Sequence, residues 1–254
     1  MLIQLLGRLY PLLDRCIVGL TFGFGHRIVD LSFVLFEGMP VWVGQPGFLC
    51  ERVMSVPGNE YTLHVVRQLS THQGTHVDAP LHFVAGGRGV DELRVESFVG
   101  DGVVVDLSTK RCGEEITVAD IEKYVSVIRK GDVVFLHTGW DKRAGSGDDY
   151  LFEYPYLAEE SARFLVGLGI RALGVDTLSV AGWDGTAPHG PIARSGSPAE
   201  THRILLRGGV ILVEVLRNLG VVLDGESSRR AFFVFAPVAI RGAEAGPCRA
   251  LAFV

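Results

Sequence analysis

Cysteine is scarce in this 254-residue sequence, and none of its four cysteines forms a CxxC pair. The four are Cys16, Cys50, Cys112 and Cys248. Closely spaced thiols are typical of zinc–thiolate and redox sites, so their absence argues against both. Scattered, unpaired thiols instead predict a protein of the reducing cytoplasm.

Positive charge is also in short supply. The chain has 24 Lys and Arg residues against 29 Asp and Glu residues, a net charge of −5, and no basic run longer than two residues. Proteins that bind nucleic acid usually cluster basic residues, so this composition argues against a nucleic acid partner. The hydrophobic content of 48% is that of an ordinary folded protein.

No apolar run reaches the roughly 20 residues that a membrane-spanning helix needs. The most apolar region, residues 1–25, is interrupted by Gln4, Arg8, Pro11, Asp14 and Arg15. Its charges lie within the apolar stretch, unlike those of a secretion signal. Leucines at helical spacing predict an amphipathic helical arm over residues 1–25, which covers the core or a subunit partner rather than a membrane. Residues 26–254 are predicted to form one domain.

Several common catalytic and nucleotide-binding motifs are missing as well. The sequence has no GxSxG motif and no P-loop, and its Gly23-Phe-Gly25 segment lacks the third glycine of a GxGxxG motif. These absences argue against a serine hydrolase and against a nucleotide-dependent enzyme.

Short apolar and β-branched segments separated by turn residues predict a framework rich in strands. The predicted strands cover residues 27–31, 52–54, 62–69, 102–106, 132–137, 172–175, 209–213, 230–236 and 250–253. Helices are predicted from a capping box at Thr117 through Val127, over residues 158–168, and from an N-cap at Ser197 through Arg207. Because strands outnumber helices, the sequence favours a mixed-sheet α/β or α+β domain over a doubly wound fold.

Three aspartates end apolar segments of the sequence: Asp30, Asp106 and Asp176. An aspartate in this position typically accepts hydrogen bonds from the turn that follows its strand. We therefore predict that these three residues fasten turns.

Residues 71–83 concentrate side chains that can bind metal or carry protons. They are His72, His76, Asp78 and His82, all at even-numbered positions, so an extended chain would place them on one face. At about 3.3 Å per residue, however, a straight strand would separate His72 from Asp78 by roughly 20 Å. Shared binding of one ion therefore requires a turn, which Gly74 permits.

The residue types in this cluster predict a divalent metal site at His72, His76 and Asp78. Imidazole and carboxylate ligands suit Zn, Mn or Fe(II), and no nearby thiolate closes the site. Such a set usually leaves one coordination position open for water. His82 follows a proline, and we predict that it acts as a general acid and base beside the ion.

A second pair of candidate ligands lies downstream. Glu214 belongs to the apolar segment 210–216, and a buried carboxylate needs a positively charged partner. His202 precedes the turn that leads into this segment, so its imidazole and the carboxylate can converge on a metal ion. The alternative is an ion pair between Glu214 and Arg203 or Arg217.

The histidine motif resembles that of a known family. Residues 72–83 match the pattern His-x-Gly-Thr-His-x-Asp-x-Pro-x-His-Phe in full. This pattern is similar to that of the metal-dependent cyclase-like hydrolases, which include bacterial kynurenine formamidases and isatin hydrolases. Segments 30–32, 38–42, 138–141 and 174–179, followed by His202 and Glu214, also occur in the family's order. The resemblance covers about residues 28–254.

The resemblance implies a swivelling β/β/α domain in a homodimer or higher oligomer such as a tetramer. In the two-metal formamidases, the residues that match His72, His76 and Asp78 bind metal. The aspartate also bridges to a second ion, held by the counterparts of His202 and Glu214. Isatin hydrolases keep a single manganese ion on the first three residues. The implied cofactor is therefore one or two Zn or Mn ions.

Ligand chemistry and resemblance together predict metal-dependent hydrolysis of an amide C–N bond. The implied activity is that of an arylformamidase in tryptophan catabolism, which converts N-formylkynurenine to kynurenine and formate, with His82 as the catalytic acid and base. Trp42 and Trp140 are candidates for walls around an aromatic substrate, or are plain core residues. The alternatives are opening of a cyclic amide or lactone such as isatin, an Fe(II) oxygenase with two histidines and one carboxylate, and a non-catalytic metal-binding protein.

Overall fold

The computed structural model of the chain describes residues 27–145, 147–188, 190–192 and 196–254. The helical arm predicted for residues 1–25 lies outside the described residues, as does Cys16. The described cysteines, Cys50, Cys112 and Cys248, are free thiols, as predicted. No helix among the described residues is long and apolar enough to cross a membrane.

The described chain consists of short strands and helices. The strands are β1 (Ile28–Asp30), β2 (Leu49–Met54), β3 (Leu63–Gln68), β4 (His76–Asp78), β5 (Val99–Asp106), β6 (Glu115–Ile116), β7 (Val133–His137), β8 (Tyr156–Leu157), β9 (Ala172–Val175), β10 (Thr186–Ala187), β11 (Gly190–Pro191), β12 (Ile211–Glu214), β13 (Ser228–Val234), β14 (Ala245–Pro247) and β15 (Leu251–Phe253). The α-helices are α1 (Val118–Glu122), α2 (Asp148–Phe152), α3 (Glu159–Leu168), α4 (Pro198–Arg207) and α5 (Leu219–Leu223). Short 3-10 helices cover Pro80–His82, Val90–Glu92, Val95–Phe98 and Trp140–Arg143.

A nine-stranded mixed sheet forms the framework, in the order β1-β15-β13-β5-β7-β9-β12-β4-β14. The central strands β5, β7, β9 and β12 run parallel, whereas the strands on either side pair antiparallel. Three two-stranded sheets, β2–β3, β6–β8 and β10–β11, accompany the main sheet. The architecture confirms the predicted mixed-sheet α/β class.

The alternation of side chains along the central strands separates two hydrophobic cores. In β5, Val103 and Val105 enter one core, and Val104 enters the other. The first core is completed by apolar residues of α1, α3 and α4. The second contains α5 together with residues from both halves of the sheet, including Val29 of β1 and Val77 of β4. The sheet therefore curls around the second core, and this curl determines where the strands that carry the histidine motif lie.

The helix predicted from Thr117 through Val127 is shorter in the structure. The capping box between Thr117 and Asp120 is present, but α1 ends at Glu122. Tyr124 then forms an i→i+3 backbone bond, and its hydroxyl donates to a backbone carbonyl of β5 at 2.6 Å. This tertiary contact and the β-branched residues near Val127 disfavour a continued α-helix.

The structure also corrects the predicted cap of α4. The helix begins after Ser197 and ends at Arg207, as expected, but the Ser197 side chain makes no capping hydrogen bond. Instead, the backbone N–H of Ser197 donates to Glu159 Oε1 at 2.8 Å, which ties the segment to α3.

Two of the predicted turn-fastening aspartates behave as expected. Asp30 Oδ1 accepts a hydrogen bond from the amide of Ser32 at 3.1 Å. Asp106 Oδ1 accepts one from the amide of Ser108 at 2.9 Å. Both therefore stabilise the turn that follows their own strand.

Candidate functional site

The chain turns sharply just before β4, as the sequence predicts. Gly74 has a φ of +62°, in the left-handed region that favours glycine. The hydroxyl of Thr75 fixes the turn, because it accepts from the amide of Phe33 at 2.8 Å and donates to the carbonyl of Val215 at 2.6 Å. The turn brings His72 back toward β4.

The register of β4 places the candidate ligands on one face of the sheet. His76 and Asp78 are two residues apart, so their side chains point the same way. In the antiparallel pair with β12, Glu214 lies opposite His76. Directly opposed residues have Cβ atoms about 4.5–5.5 Å apart. The strand pairing therefore explains why Glu214, distant in sequence, joins this cluster.

Two imidazoles surround the buried carboxylate of Asp78. His72 Nδ1 lies 3.1 Å from Asp78 Oδ1, and His76 Nε2 lies 3.4 Å from the same oxygen. His76 Nε2 is also 3.6 Å from Glu214 Oε2. Asp78 is fully buried, so these charges and dipoles interact where water does not screen them.

His202 reaches the same cluster from α4. Its Nε2 lies 3.3 Å from Glu214 Oε1. Ser179 Oγ and the amide of Val180 donate to that oxygen at 3.1 and 2.7 Å, which holds the carboxylate in place. The sequence analysis includes Ser179 only as the end of segment 174–179 and gives it no role, because its contact with Glu214 depends on the pairing of distant strands.

The alternative partners considered for Glu214 lie elsewhere. Arg203 pairs with Glu200 at 3.5 Å, and the Arg217 guanidinium lies over the ring of Phe33. Glu214 therefore faces imidazoles rather than guanidinium groups.

Backbone carbonyls orient two of the histidines. His76 Nδ1 donates to the carbonyl of Gly74 at 2.9 Å, and His202 Nδ1 donates to the carbonyl of Pro198 at 2.8 Å. Because a carbonyl only accepts, Nδ1 carries the proton in both rings, and Nε2 faces the carboxylates. Each Nε2 atom must then either carry a second proton or offer its lone pair to a cation.

The electrostatics of the cluster favour bound positive charge. Burial disfavours the imidazolium form of His76, but Asp78 and Glu214 outweigh it and raise the pKa to about 9. Burial also disfavours the ionised form of Asp78, yet His72 and His76 hold its pKa well below the usual range. For His202, burial is again outweighed by Glu214, so its pKa is raised. A metal ion that binds here would displace protons.

The donor atoms fit a divalent metal ion. Among the described residues, His76 Nε2 and both carboxylate oxygens of Asp78 are buried without a hydrogen-bond partner, which is costly unless a cation binds them. In this cluster, two sets of three side chains each offer ligand atoms within 4.8 Å of one another: His72, Asp78 and His82, and His76, Asp78 and Glu214. The predicted trio of His72, His76 and Asp78 is therefore divided between these two sets. Asp78 belongs to both sets, which suits either one ion or two ions that share this carboxylate.

His82 lies at the end of the 3-10 helix that follows β4. Its ring centroid is 4.3 Å from that of His72 and 6.0 Å from that of His202. Burial lowers the pKa of His82, so at neutral pH the ring is in the form that accepts a proton. The structure thus brings His82 to the site, and its role as proton carrier stays a prediction.

A cavity of about 180 Å³ opens beside the cluster. Its walls include Trp42, Phe83, Tyr150, Leu178 and Gln45. Trp42 therefore lies where a substrate wall was predicted. Trp140 matches the core alternative: it is buried, and its Nε1 donates to the carbonyl of Tyr150 at 3.1 Å, so it supports the wall from the core.

A second buried cluster, formed by His137, Asp141 and Asp176, lies near the ends of β7 and β9. Asp176 accepts from the amides of Thr138 and Gly139 at 3.0 and 2.8 Å, and His137 Nδ1 lies 3.0 Å from its Oδ2. Asp176 therefore fastens the turn after β7 rather than the turn after its own strand, contrary to the prediction. The neighbouring parallel strand ends beside it, and that turn offers amides that need an acceptor.

We expect replacement of His137 by glutamine to lower the free energy of unfolding by about 1–3 kcal/mol at pH 6. Burial disfavours the imidazolium, but Asp176 outweighs it and raises the pKa of His137. Stability from a raised histidine pKa is complete below the unfolded value of about 6.5 and is lost as pH rises through the folded value. Urea unfolding at pH 6 and pH 9 measures the difference, and a deficit that does not shrink at pH 9 would contradict the ion pair.

The chain is similar to known proteins in both sequence and structure. The sequence model of a family described as putative cyclase matches residues 29–181. A kynurenine formamidase from Erythrobacter litoralis (strain HTCC2594) is 29% identical over 227 residues, which cover 89% of this chain and 93% of the relative.

Solved structures agree with the sequence comparison. Isatin hydrolase A from Labrenzia aggregata, bound to benzyl benzoate, is 30% identical with a TM-score of 0.77, covering 90% of this chain and 94% of that one. A predicted metal-dependent hydrolase from Bacillus stearothermophilus is 30% identical with a TM-score of 0.69, covering 90% and 98%. These similarities show that the chain is a hydrolytic enzyme. The chain belongs to the cyclase family.

Proposed function

We propose that this enzyme hydrolyses the amide C–N bond of a small aromatic substrate with the help of a divalent metal ion, and that N-formylkynurenine is such a substrate. One observation carries the proposal. His76 Nε2 and both carboxylate oxygens of Asp78, which are possible metal ligands, are buried without a hydrogen-bond partner beside an aromatic cavity. Similarity to kynurenine formamidases over most of the chain supports the formamide as the first substrate to test. Water and N-formylkynurenine give kynurenine and formate.

In the proposed site, His72, His76 and Asp78 hold the ion, and His202 with Glu214 hold a second one where two are bound. When bound, such an ion supplies a water whose pKa falls from 15.7 to about 7, and it polarises the substrate carbonyl. The protein's own task is to keep these five side chains fixed. The register of β4, the backbone acceptors of two imidazoles and the donors to Glu214 do this before substrate arrives.

His82 carries the proton in this proposal. Its neutral ring takes the proton from the attacking water and then gives it to the departing nitrogen, since an amine leaves poorly unless it is protonated. Burial, which lowers the pKa of His82, favours the proton-accepting form. In the proposal, the cavity walls formed by Trp42, Phe83 and Tyr150 pack against the aromatic ring of the substrate.

A second candidate reaction is the opening of a cyclic amide such as isatin. This reaction would use the same metal ligands and the same proton carrier, and only the shape of the substrate differs. The similarity to isatin hydrolase A at 30% identity supports it, as does a cavity of about 180 Å³ with flat aromatic walls, which suits a fused bicyclic ring.

Elemental analysis of the purified enzyme, combined with turnover measured by ultraviolet absorbance, tests the proposal. We expect one or two Zn or Mn ions per chain and faster turnover of N-formylkynurenine than of isatin. A chelator should abolish turnover, and added metal should restore it. Faster turnover of isatin would favour ring opening, whereas bound iron with oxygen-dependent turnover would favour an oxygenase. Bound metal without turnover of either compound would favour a non-catalytic metal-binding protein.

We also propose that the enzyme is a homo-oligomer, a dimer or tetramer, and that the β2–β3 hairpin takes part in its interface. The two strands pair only with each other in the described sheets, and a lone hairpin is marginally stable in water. The hairpin nevertheless exposes Leu49, Val53, Leu63 and Val66, the last by 52%. These exposed apolar side chains, on a hairpin with no other strand partner, support a place for it in a subunit contact. The free thiols Cys50, Cys112 and Cys248 support a reducing compartment, the cytoplasm.

We expect Val66→Glu to shift the enzyme toward the monomer, because a carboxylate buried in the proposed interface in place of a valine costs free energy unless it finds a partner. Light scattering coupled to size exclusion at micromolar concentration measures the mass. The matched control is Val95→Glu, at a valine that is 74% exposed outside the hairpin. An unchanged mass for Val66→Glu would remove the hairpin from the interface.

A further inference from the structure

Glu244, which immediately precedes β14, contacts the histidine cluster from outside. Its Oε1 lies 3.2 Å from His72 Nε2 and accepts a hydrogen bond from the hydroxyl of Thr71 at 2.7 Å. Its backbone carbonyl accepts from the amide of Ala79 at 2.9 Å, so the residue is tied to the end of β4. Neither the histidine motif nor the pair of downstream ligands includes this residue.

The contact determines which nitrogen of His72 faces the site. An ionised carboxylate only accepts, so Nε2 carries a proton and donates it to Glu244. His72 Nδ1, which is 3.1 Å from Asp78 Oδ1, is then the atom available to a metal ion. The His72 ring therefore presents its lone pair toward the Asp78 oxygen that His76 Nε2 also faces.

Glu244 differs from the partners of the other two histidines in one respect. His76 and His202 donate to backbone carbonyls, whereas His72 donates to a carboxylate. A carboxylate that accepts from the distal nitrogen of a metal-bound imidazole fixes the ring and makes the ligand more basic. Loss of such a partner typically weakens metal binding by about 10–100-fold.

We propose that Glu244 is a positioning residue for His72, which fixes the Nε2–H form of the ring and strengthens its binding of the metal ion through Nδ1. The inference rests on the metal site of the proposed function and adds a residue to it. Thr71 has a supporting part, because its hydroxyl holds the accepting oxygen of Glu244. The Glu244 side chain is 37% exposed, so it can be replaced without opening a gap in the core.

Zinc titration of the chelator-stripped full chain, in competition with a chromophoric chelator, tests the proposal. We expect Glu244→Ala to bind zinc about 10–100-fold more weakly than the wild type. Glu244→Gln keeps an accepting oxygen without the charge, so its affinity should lie between the two. The matched control is Glu226→Gln, at an exposed carboxylate in the turn before β13 that is remote from the cluster in the fold. Its zinc affinity should equal that of the wild type.

A spectroscopic readout separates positioning from a merely structural role. In the zinc-loaded protein labelled with 15N-histidine, the hydrogen-bonded Nε2–H proton of His72 should be observable in the wild type. It should be lost to exchange with water in Glu244→Ala. Thermal unfolding of the metal-free proteins should be nearly the same for both.

The outcomes distinguish this inference from the proposed function. Zinc affinity of Glu244→Ala within twofold of wild type would overturn the inference while leaving the metal site intact. A wild type that binds no zinc or manganese would overturn the metal site and the inference together. If Glu244→Ala does not fold, Glu244→Gln takes its place in both measurements. Wild-type zinc affinity and an unchanged signal of the His72 Nε2–H proton in Glu244→Gln would then overturn the role of the Glu244 carboxylate.

Discussion

Replacement of His82 by alanine is expected to lower kcat by about 10²–10⁴-fold while the metal stays bound. In the proposed mechanism, His82 moves a proton from the attacking water to the leaving nitrogen. The other three imidazoles of the cluster that the structure describes face carboxylates instead. His76 and His202 have raised pKa values and face carboxylates. His72 donates to Glu244. In the proposed site, each of these three rings is therefore a metal ligand rather than a proton carrier.

Two measurements on the same preparation decide the role of His82: metal content by elemental analysis and kcat at saturating substrate. Lys123→Ala is the control, since Lys123 is exposed just after α1 and contacts Asp120 rather than the site. If metal and activity disappear together in His82→Ala, His82 acts as a ligand. Its distance to His72 and Asp78 would permit this role.

Replacement of Asp78 by asparagine is expected to abolish both metal binding and turnover. The two side chains are nearly the same size, so the change removes charge without changing the packing of a fully buried position. Asp78 belongs to both sets of possible ligand atoms, so its loss affects one ion or two alike. The affinity should fall by more than the roughly 10–100-fold that the loss of a ligand's hydrogen-bond partner costs.

Metal titration and turnover of Asp78→Asn check this expectation, with Asp101→Asn in β5 as the control because Asp101 is exposed and lies outside the site. Full metal content in Asp78→Asn would place the ion elsewhere. Wild-type turnover in the metal-free variant would exclude a metal-dependent mechanism.

The ligand cluster was largely predictable, because local chemistry restricts it. His72 and Asp78 could meet only through a turn, and Gly74 is the residue in that segment that adopts positive φ at little cost. Convergence of His202 and Glu214 followed from a helix, a tight turn and a strand in succession. The structure brings His72 to Asp78 and His202 to Glu214, and their role as metal ligands stays a prediction.

The strands on either side of the cluster were not predictable in the same way. β4 is only three residues long, and its two polar side chains hide the apolar pattern of a strand. β14 reads Ala-Gly-Pro, residues with little β-propensity. Both form because long-range pairing with the sheet overrides local preference. Glu244 was not predicted for the same reason. The pairing of β14 with β4 brings it to His72, and no local sequence motif includes it.

The position of β4 in the sheet has a consequence for biosynthesis. β4 belongs to the first third of the chain, but its partners β12 and β14 come from the last fifth. A nascent polypeptide on the ribosome has made the histidine motif long before it makes Glu214 and the strand that follows Glu244. Pairing of such distant segments is slow because a large loop must close first. Catalytic competence should therefore arise only after β14 has been synthesised, and a chain released before β14 should be inert.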